Sequence, residues 1–124
     1  MSEMKKVLVC EDNVLMQRLL QFTLESIGLE VIVADDGEEG IRFLKEQPVQ
    51  LLITDINMPY NNGLELIQFV RKNFGKKIPV IIISNINLEE TKKHAQELGA
   101  DRYITKPFDP KQLVEIIQSL NITV

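Results

Sequence analysis

Three acidic residues, a serine and a lysine stand where apolar runs stop. Glu11 and Asp12 follow Val7-Leu8-Val9-Cys10, and Asp55 follows Leu51-Leu52-Ile53-Thr54. Ser84 closes Val80-Ile81-Ile82-Ile83, and Lys106 follows Tyr103-Ile104-Thr105. Taken singly, these are ordinary endings. An Asp or Ser after a strand commonly makes a turn, and an acidic pair before Asn13 commonly opens a helix. Taken together they differ, because the C-terminal ends of neighbouring parallel strands share one sheet edge, where ligands bind in such folds. Carboxylates gathered there repel: two unit charges about 4 Å apart cost about 4 kcal/mol at an effective dielectric near 20. Lys106 offsets one charge, and a divalent cation suits the remainder. Oxygen donors favour Mg²⁺, which takes one or two carboxylates, keeps waters and leaves room for a phosphate oxygen. With one His and one Cys in the chain, no zinc-type cluster is available.

A carboxylate beside Mg²⁺ and an ammonium can attack phosphorus and form an aspartyl phosphate. The two cations stabilise charge on the transferring group. Asp55 is the expected nucleophile, because its run reads as a central strand that places it between the other two acids and Lys106. The Ser84 hydroxyl is expected to reach the same phosphoryl group.

Elements must bring these residues together. Strands are expected at Lys6–Cys10, Glu30–Ala34, Leu51–Thr54, Val80–Ile83 and Arg102–Ile104. The third and fourth are apolar throughout, as in central parallel strands covered on both faces, and the short, polar fifth belongs at an edge. Asn13 can cap a first helix whose inward stripe is Met16, Leu19, Leu20, Thr23 and Ile27, with Gly28 at its end and Gln17, Arg18, Gln21 and Glu25 on the wet face. A second helix runs from about Gly37 to Glu46, with Ile41 and Leu44 inward. A third follows Gly63, with Leu64, Ile67, Val70 and Phe74 at helical spacing. The fourth, Leu88 to Leu98, has a thin stripe of Leu88, Thr91, Ala95 and Leu98 before Gly99. The fifth opens at Asp109-Pro110, with Leu113, Ile116, Ile117 and Leu120 inward. Alternation of this kind predicts an α/β fold with a doubly wound parallel sheet. An eight-unit barrel needs around 200 residues or more, and the chain has 124.

Composition narrows the function classes. The apolar fraction is 44% and the charged fraction 26%, ordinary for a globular domain. A net charge of -4 disfavours a general nucleic-acid binder. No stretch approaches a membrane span, and the polar start, Met1 to Lys6, is unlike a signal peptide. The single Cys10 excludes an internal disulfide and fits a reducing compartment. Lys76-Lys77, Lys92-Lys93 and His94 read as solvated surface.

The chain resembles a response-regulator receiver domain, similar to the stand-alone chemotaxis regulator. The resemblance rests on Val7-Leu8-Val9-Cys10-Glu11-Asp12-Asn13, Thr54-Asp55-Ile56-Asn57-Met58-Pro59 with Gly63, Ile83-Ser84, and Tyr103-Ile104-Thr105-Lys106-Pro107-Phe108. It runs from about Lys5 to Leu120, so residues 1–124 are expected to form a single receiver domain with no output domain in the chain. It implies a five-stranded, flavodoxin-like sheet of order 2-1-3-4-5, an order our general knowledge of the fold already attaches to the chemotaxis regulator. It also implies roles. Asp55 would be the phospho-acceptor, with Lys106 and Ser84 on the phosphoryl group. Asp12 would ligate Mg²⁺ directly and Glu11 partly through water, with Asn57 lending its backbone carbonyl. Tyr103 would be the aromatic switch that moves with Ser84. The Lys106-Pro107 peptide is cis in many relatives, though sequence leaves the isomer open.

By the same resemblance, the donor would be a histidine kinase or histidine phosphotransfer protein, and the setting cytoplasmic. A downstream protein would read the face of the fourth helix, fifth strand and fifth helix, on a monomer or a phosphorylation-dependent dimer. Glu11 stands where Asp is more usual, and Asn85 where a small residue is usual. Asn57 and Ile86 occupy positions that tune phosphoryl lifetime in relatives. Asn85 leaves open an alternative, a receiver-like interaction module that acts without phosphorylation. A phosphatase using an aspartyl phosphate would want a second acid two residues after the nucleophile, where Asn57 stands. A flavin-binding module would want a Ser/Thr-rich phosphate loop where Glu11 and Asp12 stand.

Overall fold

A computed structural model of the chain describes residues 4–122. Residues 1–3 and 123–124, the ends of the expected domain, lie outside the described residues. Strands β1 (Lys6–Cys10), β2 (Glu30–Ala34), β3 (Leu51–Thr54), β4 (Val80–Ser84) and β5 (Arg102–Thr105) alternate with helices α1 (Val14–Glu25), α2 (Gly37–Glu46), α3 (Gly63–Phe74), α4 (Glu89–Leu98) and α5 (Pro110–Ser119). The sheet is parallel, in the order β2-β1-β3-β4-β5 that the resemblance implies. Cys10 pairs with Thr54, and Ser84 with Thr105, so the four adjacent strands that lead to Glu11, Asp55, Ser84 and Lys106 end along one edge of the sheet. β4 and β5 each run one residue further than expected, because the Ser84–Thr105 pair continues the ladder.

Side chains alternate across a strand, and two apolar layers follow from that. Val7, Val9, Leu51, Ile53, Ile81 and Ile83 pack under Leu20 and Leu24 of α1 and Leu113 and Ile117 of α5. Leu8, Cys10, Leu52, Val80 and Ile82 pack under Leu44 of α2, Leu66, Ile67 and Val70 of α3, and Ala95 of α4. Each fully buried Leu or Ile contributes roughly 1.5–3 kcal/mol of transfer free energy.

Local chemistry explains where the helices begin. Asn13, Asp36, Asn62 and Asp109 each accept a hydrogen bond from a first-turn N–H, and Asn62 with Glu65 forms a reciprocal capping box. α4 lacks this: its cap residue is Leu88, which was expected in the inward stripe but precedes the first helical residue and is exposed. Leu19 is also exposed rather than inward, and Leu24, absent from the expected stripe, takes the buried place beside Leu20. α1 stops at Glu25, so Gly28, at φ +86, serves the turn into β2 rather than the last helical turn.

Arg71 ties the far pole together. Its Nε and Nη2 donate to the Gly99 carbonyl at 3.1 and 2.7 Å, and its Nη1 to the Gly75 and Ile78 carbonyls at 2.9 and 2.7 Å. Nη2 also meets Asp101 Oδ2 at 2.9 Å, and the Val80 N–H donates to that same oxygen at 2.8 Å. One guanidinium thereby fastens the C-terminal ends of α3 and α4 to the starts of β4 and β5.

Candidate functional site

The backbone brings the acids together before any side chain acts. The Asp55 N–H donates to the Cys10 carbonyl at 3.1 Å, extending the β1–β3 ladder by one bond, and the Glu11 N–H donates to the Ala34 carbonyl at 3.1 Å. After Asp55 the chain must turn sharply. A Cβ on Gly63 would stand 2.1 Å from the Asp55 carbonyl oxygen, and one on Gly37 would stand 1.5 Å from the Asn61 carbonyl oxygen. Glycine at both places lets the β3–α3 loop close against α2 and fold back under Asp55.

Glu11 is 2% exposed and Asp55 8% exposed, so two carboxylates enter the protein edge. Lys106 joins them: its Nζ lies 2.9 Å from Glu11 Oε1 and 2.9 Å from Asp55 Oδ2. The remaining oxygens are also engaged. Glu11 Oε2 accepts the Asn13 N–H at 3.0 Å, and Asp55 Oδ1 accepts the Ile56 N–H at 2.6 Å. Burial raises the Glu11 carboxyl above its usual value, against the lowering effect of Lys106 and the Asn13 N–H, and the Asp55 charge adds to the rise. Burial works against the Lys106 ammonium, but its hydrogen bonds to Glu11 and Asp55 prevail and its value is raised. Cys10 is buried, and burial pushes its thiol far up, so it is a packing residue rather than a reactive one.

Asp12 is exposed beside this pair. One oxygen from each of Glu11, Asp12 and Asp55 lies within 4.8 Å of the others. Oxygens around one Mg²⁺ are at most about 4.2 Å apart, so the cluster could close on the ion with little movement or hold it partly through water. All donors are hard oxygens, and the residues fit Mg²⁺ on that ground. They open on a cavity of about 510 Å³ that Asn57, Ser84, Asn85 and Lys106 also line.

The expected switch residues meet at one residue, Ile86. Ser84 is buried, and its Oγ accepts the Ile86 N–H at 3.1 Å. The Tyr103 hydroxyl donates to the Ile86 carbonyl at 2.7 Å. Burial raises the Tyr103 phenol, so it stays protonated as that donor. Ile86 is thus held from both sides, by one residue at the end of β4 and one on β5. The Lys106-Pro107 peptide is cis. His94 is exposed on α4.

Met16, Asn13 and Pro107 also line the cavity, and their residue types alone carried no sign of a site role. Gln17, expected on the wet face, donates from its Nε2 to the Glu11 carbonyl at 2.5 Å and to Asp35 Oδ1 at 2.8 Å. Its place one turn after an acidic pair is the only signal in the sequence. Among the described residues, no helix is long and apolar enough to cross a membrane.

Residues 7–118 match the family model of the response regulator receiver domain. Among curated proteins, the chain is 37% identical over 116 residues to the probable transcriptional regulator ycf27 of Cyanophora paradoxa, covering 94% of this chain and 48% of that one. It is 35% identical over 109 residues to the alkaline phosphatase synthesis transcriptional regulatory protein PhoP of Bacillus subtilis, covering 88% of this chain and 45% of that one. The chain therefore spans about half the length of such relatives. Among solved structures, a CheY-like receiver domain protein from Methanospirillum hungatei superposes with a TM-score of 0.89 at 27% identity, covering 95% of this chain and 94% of that one. The response regulator TrrA of Thermotoga maritima, solved in complex with Mg(2+)-BeF, gives 0.85 at 29% identity, covering 94% of this chain and 99% of that one.

Proposed function

The chain belongs to the response regulator receiver domain family, and from that premise we propose that it is the phosphorylation-controlled switch of a two-component or phosphorelay system. It takes a phosphoryl group from a phosphohistidine onto Asp55. The observation that carries this is the Lys106 ammonium, 2.9 Å from both the Glu11 and Asp55 carboxylates, at the mouth of a cavity that Ser84 also lines.

In the transfer, an Asp55 oxygen attacks phosphorus, the P–N bond to the donor imidazole breaks, and the imidazole leaves with the bonding pair and takes up a proton. Mg²⁺, held by Asp12, Asp55, the Asn57 carbonyl and Glu11 partly through water, would supply positive charge to the phosphoryl oxygens. Lys106 supplies a second positive charge from the other side. Asp55 Oδ1 is held by the Ile56 N–H, so Oδ2 is the oxygen that becomes free once Lys106 swings to the phosphoryl group. The chain is no enzyme toward an external substrate in this reading. It catalyses only its own phosphorylation and its own dephosphorylation.

The readout follows from Ile86. A Ser84 hydroxyl drawn to the phosphoryl group loosens its hold on the Ile86 N–H, and Tyr103, bonded to the Ile86 carbonyl, moves with that loop. The uncapped start of α4 adjoins it. A protein partner then reads the changed α4-β5-α5 face. On the donor side, Leu15, Leu19 and Phe22 form an apolar stripe on α1 that is 80%, 43% and 75% exposed. The stripe starts next to Met16 at the cavity rim, which suits docking of a histidine kinase or phosphotransfer protein.

Acetyl phosphate with Mg²⁺ should add one phosphoryl mass to the protein, and beryllofluoride with Mg²⁺ should shift the amides of Ile86 and Tyr103. Neither change should occur in Asp55→Ala. An unresponsive wild type, or an Asp55→Ala protein that responds equally, would sink the reading.

A further inference from the structure

Gln17 stands outside the cavity, yet it holds the turn that carries the metal-binding acids. Its amide nitrogen faces two groups that only accept, the Glu11 carbonyl at 2.5 Å and Asp35 Oδ1 at 2.8 Å. Both of its hydrogens are therefore used, and this pairing sets the orientation of the amide. Asp35 is itself anchored, since its N–H donates to Glu39 Oε1 at 3.0 Å. On the other side of Glu11, its N–H is held by the Ala34 carbonyl at 3.1 Å.

The Glu11 carbonyl belongs to the Glu11–Asp12 peptide, which is planar and contains the Asp12 Cα. Fixing that oxygen fixes the plane, and the plane sets the direction in which the exposed Asp12 side chain departs. Glu11 has its own carboxylate pinned by Lys106 and the Asn13 N–H. For Asp12, the Gln17 bond is the comparable constraint. We propose that Gln17 is a positioning residue for the Mg²⁺ edge, clamping the Glu11–Asp12 turn to the start of α2 through Asp35 so that Asp12 meets Asp55 at coordination distance. This rests on the reading of Glu11, Asp12 and Asp55 as the Mg²⁺ site.

The test is a Mg²⁺ titration of the whole protein by calorimetry and amide NMR, with thermal stability measured on the same samples. Gln17→Leu keeps bulk and removes both donors, and should weaken Mg²⁺ affinity roughly tenfold, as outer-shell ligand partners do. Asp35→Ala should weaken it less, and Gln17→Leu with Asp35→Ala should be within about twofold of Gln17→Leu alone, because both act through one link. Leu24→Val destabilises α1 from the core side, away from the turn, and should leave affinity unchanged. Wild-type affinity in Gln17→Leu overturns the proposal, as does an equal loss in Leu24→Val, which would make the role one of general stability. If wild type fails to bind Mg²⁺, or Asp12→Asn binds as tightly as wild type, the metal-site reading itself fails and the proposal falls with it.

Discussion

The ammonium of Lys106 sits between two buried carboxylates, and removing it exposes what the arrangement costs. Lys106→Met leaves Glu11 and Asp55 facing each other uncompensated, and breaking a buried pair in this way typically costs about 3–5 kcal/mol. Urea unfolding at neutral pH should show a loss of that order, partly recovered when Mg²⁺ is added. The pH dependence has two signs. Lys106 has a folded value above its ordinary one, so its contribution is complete below the ordinary lysine value and is lost only as pH rises through the raised one. Glu11 is also raised, by burial first, so the stability linked to its proton is complete below the ordinary glutamate value and declines as pH rises through the folded one. Mg²⁺ needs the ionised form. Its affinity should therefore weaken as pH falls, starting above the range of an ordinary Glu, and a Mg²⁺ titration series from pH 7.5 down to 5 checks this. These partners were legible as residue types in the sequence, since acids, serine and lysine all ended apolar runs. The bonds of Gln17 were not. A glutamine on a helix face carries no sign of which carbonyl it will reach.

At the level of elements, the strands were easier to read than the helices. β1, β2 and β3 have their expected bounds, and β4 and β5 gained one residue each because pairing partners, not composition, decide where a ladder stops. The inward face of α1 was harder. Leu15, Leu19, Leu20, Phe22 and Leu24 are all large and apolar, so periodicity alone allowed more than one face, and only packing under α5 and β1 selects Leu20 and Leu24. The β3–α3 loop depends on Gly63. Gly63→Ala would force a methyl to within 2.1 Å of the Asp55 carbonyl oxygen, so the loop must shift. A loss of about 3 kcal/mol is expected and, on the proposed function, slower phosphorylation by acetyl phosphate, because the Asp55 side chain moves with its carbonyl. Denaturation curves and phosphorylation time courses report the two effects separately. Asn62→Ala, which removes the capping box of the same helix without touching Asp55, should cost about 1 kcal/mol and leave the rate nearly unchanged.

Across the whole molecule, the site is made of residues far apart in the chain. Lys106 reaches Glu11 across 95 positions and Asp55 across 51. Arg71 joins Asp101 across 30 positions at the opposite pole, so both ends of the sheet are closed by contacts that β5 completes. Arg71→Met should loosen the joins to β4 and β5 and cost about 2–3 kcal/mol, with hydrogen exchange fastest at Gly99 and Val80. The doubly wound order was legible from alternating strands and helices together with the resemblance, but no pattern in the sequence announces a guanidinium clasp. The separation of Lys106 from its partners also has a consequence for biogenesis. During synthesis, Glu11, Asp12 and Asp55 leave the ribosome well before the lysine that bonds two of them and offsets one of their charges. Until β5 is made and docks, the edge is an acidic pocket without its counterion. A chain truncated after Leu98 should lose the folded, Lys106-paired edge, and the order of translation puts completion of this edge after β5 has been made.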